Sequence, residues 1–343
     1  MPRAARSAAA AAVAALVVGL VACSTPAPDP VPPTTSAPAT ASGSPNEPGD
    51  SAAPAAAGWT QVAEAPLARL EMATAAHDGR IWLAGGLSPL GEAVTEVEVF
   101  DPASGAWTSG PALPTGIHHA ALASDGERLL LIGGYIGASF NQPTDIVLSL
   151  ASGADSWEPG PSLPDARAAG AAAWDGTRVI YAGGVGLGGV SGDVFALEGG
   201  AWQRVGAMPR AREHLAAASD GNGLTWLMGG RIGGLDANLA DVDLVEGAGV
   251  TALDPLPTPR GGVGAFFLPE LGACLTGGET PNEALGTVEC VGTDGTVSTA
   301  SEMTVERHGH GAAVVDGIAY VLLGGPVPGL SAHASVERLD PAP

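Results

Sequence analysis

Five arginines of this chain recur with one spacing: each lies ten residues after a tryptophan, or after a valine at the equivalent position. The five arginines are Arg69, Arg167, Arg212, Arg260 and Arg307. A guanidinium group binds a carboxylate or phosphate group through parallel hydrogen bonds. If these arginines gathered in space, they would form a site for an anionic ligand. In one copy of the pattern, Ile117 fills the position and adds no charge.

A second set of chemically useful side chains lies two residues after each of these positions. Its members are Glu71, His119, Ala169, His214, Gly262 and Gly309. Side chains two apart on a strand point the same way, so we expect arginine, imidazole and one carboxylate to surround a single pocket. The candidate ligand contacts are Arg69, His119, Arg167, Arg212, His214, Arg260, Arg307 and His310. The alternative is that the arginines are structural and bond to acids or carbonyl groups of the next repeat.

Two histidine pairs, His118-His119 and His308 with His310, have a side-chain type that can bind a metal ion. A metal site needs at least three converging ligands, and these pairs lie in repeats that are not adjacent. The sequence therefore predicts no metal and no cofactor, and no residue is assigned a catalytic role.

A Gly-Gly pair marks the elements that position these side chains. The first glycines of the pairs are Gly85, Gly133, Gly183, Gly229, Gly277 and Gly324, spaced 46 to 50 residues apart. A constant period of this length is typical of repeat architectures. Each pair ends a short apolar run such as LLLIGG or YVLLGG, which is too short for a helix and indicates a strand.

The sequence pattern predicts four strands in each repeat. In order, these are a strand of small residues, the apolar strand before Gly-Gly, a third strand after a variable loop, and a fourth strand that begins with tryptophan in most repeats. Proline stands three residues before the arginine position at Pro66, Pro114, Pro164, Pro209 and Pro257. This order resembles the Kelch repeat over residues 58–343. The resemblance implies an all-β fold, a six-bladed β-propeller of four-stranded antiparallel blades. The short strands with turns between them agree with that architecture.

The two ends of the propeller are predicted to meet in one blade. The last repeat stops after its third strand, residues 335–339, and has no tryptophan strand of its own. Residues 59–63 precede the first repeat and begin with Trp59. We therefore expect the N-terminal strand to complete the sixth blade and close the ring, which removes open sheet edges.

The geometry of a propeller sorts the connections onto two faces. The loops after Gly-Gly are long and differ between repeats; they are residues 87–94, 135–144, 185–192, 231–240, 279–286 and 326–334. Binding residues concentrate on variable loops held by a rigid scaffold, and the Kelch resemblance implies the same face. We therefore predict any ligand site on this loop face, with the arginines around the mouth of the central channel.

Cys274 and Cys290 flank one of these loops at equal distances from Asn282. They can lie opposite each other on neighbouring antiparallel strands, and an exported protein favours disulfides. We predict that they are bonded; two free thiols are the alternative.

The N-terminal residues predict export and anchoring. Arg3 and Arg6 precede an apolar stretch that ends in Leu20-Val21-Ala22-Cys23, which fits a signal peptide over residues 1–22. The ending resembles the bacterial lipobox, which implies lipidation of Cys23; an ordinary signal peptide with an incidental cysteine is the alternative. Residues 23–57 are rich in Pro, Ala, Ser and Thr and predict a disordered tether. The expected location is the bacterial cell envelope, lipid-anchored and extracytoplasmic.

The chain is strongly acidic, with a formal net charge of −22. A nucleic-acid partner is not expected, because phosphate binding requires a basic surface. The partners we predict are the membrane, through the N-terminal lipid, and a protein or glycan ligand. The chain itself is expected to be a monomer.

Three classes of function stay open. A binding or scaffold protein for protein or carbohydrate recognition is favoured. The second class is a sugar-modifying enzyme resembling the sialic-acid mutarotases built on Kelch propellers, with Glu71, His119 and His214 moving a proton. The third is a passive structural protein of the envelope. A galactose-oxidase-like copper site is not expected, because the chain has only three tyrosines.

Overall fold

The computed structural model describes residues 58–340. The predicted signal peptide (1–22), the predicted lipidation site at Cys23 and the predicted tether (23–57) lie outside the described residues. Within 58–340, no helix is long and apolar enough to cross a membrane.

The described chain forms six four-stranded antiparallel sheets arranged as the blades of a propeller. The first strands, which contact one another around the axis, are Ala73–His77, Ala121–Ser124, Ala168–Trp174, Ala216–Ser219, Gly264–Leu268 and Gly311–Val315. The second strands are Arg80–Ala84, Arg128–Ile132, Val179–Gly186, Leu224–Met228, Gly272–Thr276 and Ile318–Leu322. The third strands are Val97–Asp101, Val147–Ala151, Asp193–Glu198, Val242–Glu246, Val288–Val291 and Ser335–Asp340. The outermost strands are Ala106–Ser109, Glu158–Pro159, Ala201–Ala207, Gly249–Ala252, Val297–Thr299 and Gly58–Glu64.

We number these sheets blades 1 to 6 in the order of their first strands. Three short strands and one 3-10 turn lie outside this pattern, at Ile117–His118, Tyr135–Ile136, Gly189–Val190 and Leu235–Ala237. The predicted six-bladed all-β propeller is confirmed.

Blade 6 is completed by the N-terminal strand. Gly58–Glu64 pairs antiparallel with Ser335–Asp340, so that Trp59 lies opposite Leu339. The indole N–H of Trp59 donates to the carbonyl of Ser301, 3.0 Å away, in the connection that leaves blade 5. The predicted ring closure is therefore confirmed, and it joins the two ends of the described chain.

The hydrophobic core is divided among the interfaces between blades. Six clusters of buried side chains are present in residues 58–340, one for each pair of adjacent blades, including the pair formed by blades 6 and 1. The first strands are rich in alanine and glycine because six of them converge on one axis. Small side chains let these strands approach, while larger ones such as Leu129 and Ile180 fill the space between blades.

The Gly-Gly pairs join each blade to the next. The backbone N–H of Gly86 donates to the carbonyl of Ile117, and that of Gly278 donates to the carbonyl of Arg307. A Cβ on Gly85 or Gly277 would lie 2.2 or 2.3 Å from these same carbonyl oxygens. Both glycines also have positive φ, which other residues adopt at a cost. The recurring pair is therefore explained by a close backbone approach between blades.

The disulfide predicted between Cys274 and Cys290 is present. The two residues are direct partners on the second and third strands of blade 5. The bridge spans 16 residues of sequence, and closing a loop of this size contributes about 3 kcal/mol in the chain-entropy model.

Candidate functional site

The five repeated arginines lie inside the blades. Each forms an ion pair with an acid of the third strand in its own blade; the pairs are Arg69 with Glu98, Arg167 with Asp193, Arg212 with Asp243, Arg260 with Glu289, and Arg307 with Glu337. All five are buried, and none lines a cavity on the axis. The expected ring of arginine side chains at the channel mouth is not formed. Their contacts agree with the structural alternative, except that the partners belong to the same blade.

Blade 2 shows what replaces the ion pair. Its arginine position holds Ile117, and Leu148 lies opposite Leu131 as Glu98 lies opposite Leu83 in blade 1, with the same register for Asp243 in blade 4 and Glu289 in blade 5. In blade 3 this register position holds Phe195, and Asp193 lies two residues earlier. Ile117 and Leu148 pack in one apolar cluster. The arginine and its acid are thus exchanged together for two apolar residues.

A left-handed backbone explains why the arginine side chains do not share the direction of the residues two positions later. Glu71, His119, Ala169 and His214 have φ between 53° and 55°, and the equivalent glycines, Gly262 and Gly309, have φ of 68° and 54°. The rule that side chains alternate applies only to extended backbone. At these six positions the chain turns, so the residue at the turn faces the axis while the arginine two residues before it points into the blade.

These six residues form a closed ring of backbone hydrogen bonds around the axis, which we call the axial ring. Each N–H donates to the carbonyl of the equivalent residue in the preceding blade, at distances of 2.7 to 3.0 Å. In order, the donors are Glu71, His119, Ala169, His214, Gly262 and Gly309. The axial ring holds the side chains of its members at the mouth of the channel.

The axial ring brings Glu71, His119 and His214 together. Their ligand atoms all lie within 4.8 Å of one another. His119 Nε2 is 3.4 Å from Glu71 Oε2, and the rings of His119 and His214 are 4.9 Å apart between centroids. Proximity of these three residues agrees with the sequence prediction for this position of the repeat.

A cavity of about 610 Å³ lies above the axial ring on the loop face. Its apolar and aromatic lining residues come mainly from blades 1 to 3 and are Leu70, Leu87, Tyr135, Phe140, Val185, Val190 and Leu330. The axial ring forms the floor with Glu71, His119 and His214, and the other polar lining residues, Glu213, Arg231, Glu279 and His308, come from blades 4 to 6. Below the axial ring, a second cavity of about 100 Å³ leads along the first strands.

The sequence placed the ligand site on the loops after Gly-Gly but did not single out the first residue of each loop as a contact. Five of them line the large cavity: Leu87, Tyr135, Val185, Arg231 and Glu279. Each forms a backbone pair with the residue directly before the axial ring, as Arg231 does with Glu213. The signal was available, because the position has a constant offset from the glycines. It was hidden because the residue types at this position differ in every repeat.

Carboxylates outnumber cations in the lining of the large cavity. Arg231 is the single arginine among its lining residues, and it forms ion pairs with both Glu213 and Glu279. Burial, with the nearby His214 and His118, holds the pKa of His119 well below its usual range. The imidazole of His119 is therefore neutral at neutral pH. Glu71, Glu213 and Glu279 give the lining of the cavity an acidic character.

His310 lies deeper than the other predicted contact histidines. Its Nε2 is 2.8 Å from the hydroxyl of Thr276, and it lines cavities below the axial ring but not the large cavity above it. Burial lowers its pKa well below the usual range. A neutral His310 bonded to a buried hydroxyl is placed to fill the channel, whereas His119 and His214 face the large cavity.

The fold and the site define a six-bladed β-propeller with a mixed apolar and acidic cavity on its axis. Residues 68–114, which include all of blade 1, match the family model of the Kelch motif. The solved structure of YjhT is similar, with a TM-score of 0.69 and 14% identity, covering 80% of this chain and 96% of that chain. At this identity the likeness bears on the fold alone. A comparison with curated protein sequences gave no significant match.

Proposed function

We propose that the protein is a binding protein of the bacterial cell envelope whose axial cavity takes up a carbohydrate. The observation that carries this proposal is that the lining of the cavity of about 610 Å³ divides into an apolar side, mainly from blades 1 to 3, and polar groups from the axial ring and blades 4 to 6. A sugar has the same division, with C–H groups on its faces and hydroxyl groups on its edge. Sites for small molecules commonly combine apolar walls with a few polar groups that fix orientation.

Two aromatic rings support a sugar over a purely polar ligand. Tyr135 and Phe140 lie with their ring centroids 5.6 Å apart on one side of the cavity. Phe140 is 59% exposed and stands over His118 and His119. An exposed phenyl ring at the wall offers an apolar surface on which the face of a sugar can pack.

The charged residues that line the cavity favour a neutral sugar or an amino sugar as the ligand. Glu71, Glu213 and Glu279 face one arginine, which two of them already bind. Carboxylates accept hydrogen bonds from hydroxyl and ammonium groups but repel other carboxylates. This reasoning replaces the anionic ligand that the five arginines had indicated, because those arginines are paired inside the blades.

The loop face also carries the apolar surface of the propeller. Six of the seven exposed large apolar residues in the described chain lie on loops after Gly-Gly: Leu90, Phe140, Leu187, Ile232, Val327 and Leu330. Apolar residues grouped on one face mark interaction surfaces. The cavity therefore opens into the face that is best suited to contact a larger glycan or its carrier.

Screening the full-length protein against an array of glycans tests this proposal. We expect binding to glycans that end in neutral or amino sugars and none to those that end in acidic sugars. Phe140→Ala should weaken binding about fivefold, since aromatic packing contributes roughly 1 kcal/mol. Leu90→Ala is the matched control, because Leu90 is an exposed loop residue that does not line the cavity. An empty array, a preference for acidic sugars, or equal effects of the two variants would contradict the proposal.

A sugar isomerase is the second candidate, and the contact of Glu71 with His119 favours it. A carboxylate and a neutral imidazole side by side can accept and return a proton at a sugar ring. Anomer exchange followed by NMR on the glycans that bind separates the two candidates. Exchange accelerated by the protein and lost in His119→Gly supports the isomerase, and unchanged exchange supports binding alone.

We further propose that the propeller is tethered to the membrane through Cys23, because the sequence before it has the order of a lipoprotein signal. Cys23→Ala should release the protein from the membrane fraction into the soluble fraction. The measurement is detergent partitioning of cell envelopes that contain either form, with Cys274→Ala as a control that leaves the anchor intact. Equal partitioning of Cys23→Ala and the parent protein would contradict the tether.

A further inference from the structure

We propose that Glu71, His119 and His214 form a site for one divalent transition-metal ion, with open coordination positions that face the axial cavity. The site would take Zn²⁺ or a similar ion, because two imidazole nitrogens and one carboxylate oxygen form a donor set common in such sites. The proposal does not depend on the carbohydrate, since it rests on three side chains and their neighbours.

The distances fit a single ion. Metal–ligand bonds of about 2.0–2.2 Å place the ligand atoms on one ion roughly 3–4 Å apart. His119 Nε2 and Glu71 Oε2 are 3.4 Å apart, and the whole set lies within 4.8 Å. Small rotations of the side chains bring all three donors to bonding distance. This set differs from the two histidine pairs considered from the sequence, since it takes one residue from each of three blades.

Neighbouring groups already orient both imidazoles. Glu213 binds Nδ1 of His214, and within the described residues Nε2 of His214 has no hydrogen-bond partner. His118 Nδ1 is 2.6 Å from His119 Nδ1, which directs Nε2 of His119 toward Glu71. A second group that binds the far nitrogen of a ligating histidine is typical of metal sites and fixes its tautomer.

The remaining members of the axial ring leave room for other ligands. They are Ala169, Gly262 and Gly309, so half of the ring contributes no bulky side chain to the floor. A Cβ on Gly309 would lie 2.6 Å from Glu71 Oε1. Because Gly309 has no side chain, the carboxylate of Glu71 can occupy this space. Three protein donors and an open side toward a cavity resemble catalytic rather than structural metal sites.

Titration of the metal-free full-length protein with Zn²⁺, followed by calorimetry, tests the site. We expect one equivalent to bind, and Glu71→Gln, His119→Gly and His214→Gly each to weaken binding at least 100-fold. Glu213→Gln should weaken it about 10- to 100-fold, the usual loss when an orienting partner is removed. His333→Gln is the control, because His333 lies on the same face but lines neither axial cavity.

The glycine variants are chosen to preserve the fold, since Gly262 and Gly309 have the same backbone conformation. Melting curves of the variants check this, and Glu71→Gln changes no shape at all. Visible spectra of the Co²⁺ complex should show ligand-field bands that the His119→Gly and His214→Gly variants lose. Absence of one-equivalent binding, or equal Zn²⁺ affinity in the three ligand variants and the parent, would overturn the proposal.

Discussion

Removing residues 58–64 from the full-length chain is expected to abolish the cooperative unfolding transition of the propeller. The deletion exposes the edge of Ser335–Asp340 and opens the apolar cluster between blades 5 and 6, which contains Trp59 and Phe266. The substitution Trp59→Ala should alone cost about 3–5 kcal/mol. In a domain of this size each kcal/mol lowers the melting temperature by about 2–4 °C.

Differential scanning calorimetry measures both changes. Gln61→Ala is the matched control, because Gln61 lies on the same strand with an exposed side chain, and its melting temperature should stay within about 1–2 °C of the parent. A deletion variant that melts like the parent would show that the ring does not need this strand.

Arg212→Ile is expected to destabilise the protein by about 3–5 kcal/mol, because it leaves Asp243 buried without its partner. Arg212 is fully buried, and its guanidinium donates to Asp243 at 2.6 Å and to the carbonyl of Leu227 at 2.9 Å. Urea unfolding measures the loss. An unchanged free energy of unfolding would mean that the ion pair has no structural role.

Blade 2 suggests a double variant that distinguishes the effect of the lost ion pair from the effect of lost packing. The double variant Arg212→Ile with Asp243→Leu copies Ile117 and Leu148, and we expect it to recover most of the stability, since an apolar pair often replaces a buried ion pair without loss. Arg210→Gln is the control, because Arg210 is an exposed arginine whose pair with Asp241 is on the surface. Surface pairs contribute about 0–1 kcal/mol. A double variant as unstable as Arg212→Ile would contradict this account.

Features set by the repeat itself could be predicted from the sequence. The spacing of the Gly-Gly pairs gave six blades, and the missing tryptophan strand after residue 339 indicated the closure by Trp59. The disulfide followed from two cysteines at equal distances from one loop. Each of these depends on position along the chain, which a period reveals directly.

The direction of the arginine side chains could not be predicted in the same way. It depends on the positive φ at Glu71 and its equivalents, and residues such as glutamate and histidine give no local signal for that conformation. The acids that bind the arginines lie 26 to 31 residues further along the chain, with a loop of variable length between them. A search for an acid that disappears together with the arginine, as in blade 2, would have found them.

The axial ring separates scaffold from specificity. Its hydrogen bonds use only main-chain atoms, and its six positions hold glutamate, histidine, alanine and glycine with the same left-handed backbone. The floor of the cavity is accordingly formed by six residues, one from each repeat: Glu71, His119, Ala169, His214, Gly262 and Gly309. Replacing one of these residues changes the side-chain groups that a ligand meets and leaves the backbone hydrogen bonds of the other five ring residues in place. A propeller with this construction can acquire a new ligand preference through single substitutions, without a change of architecture.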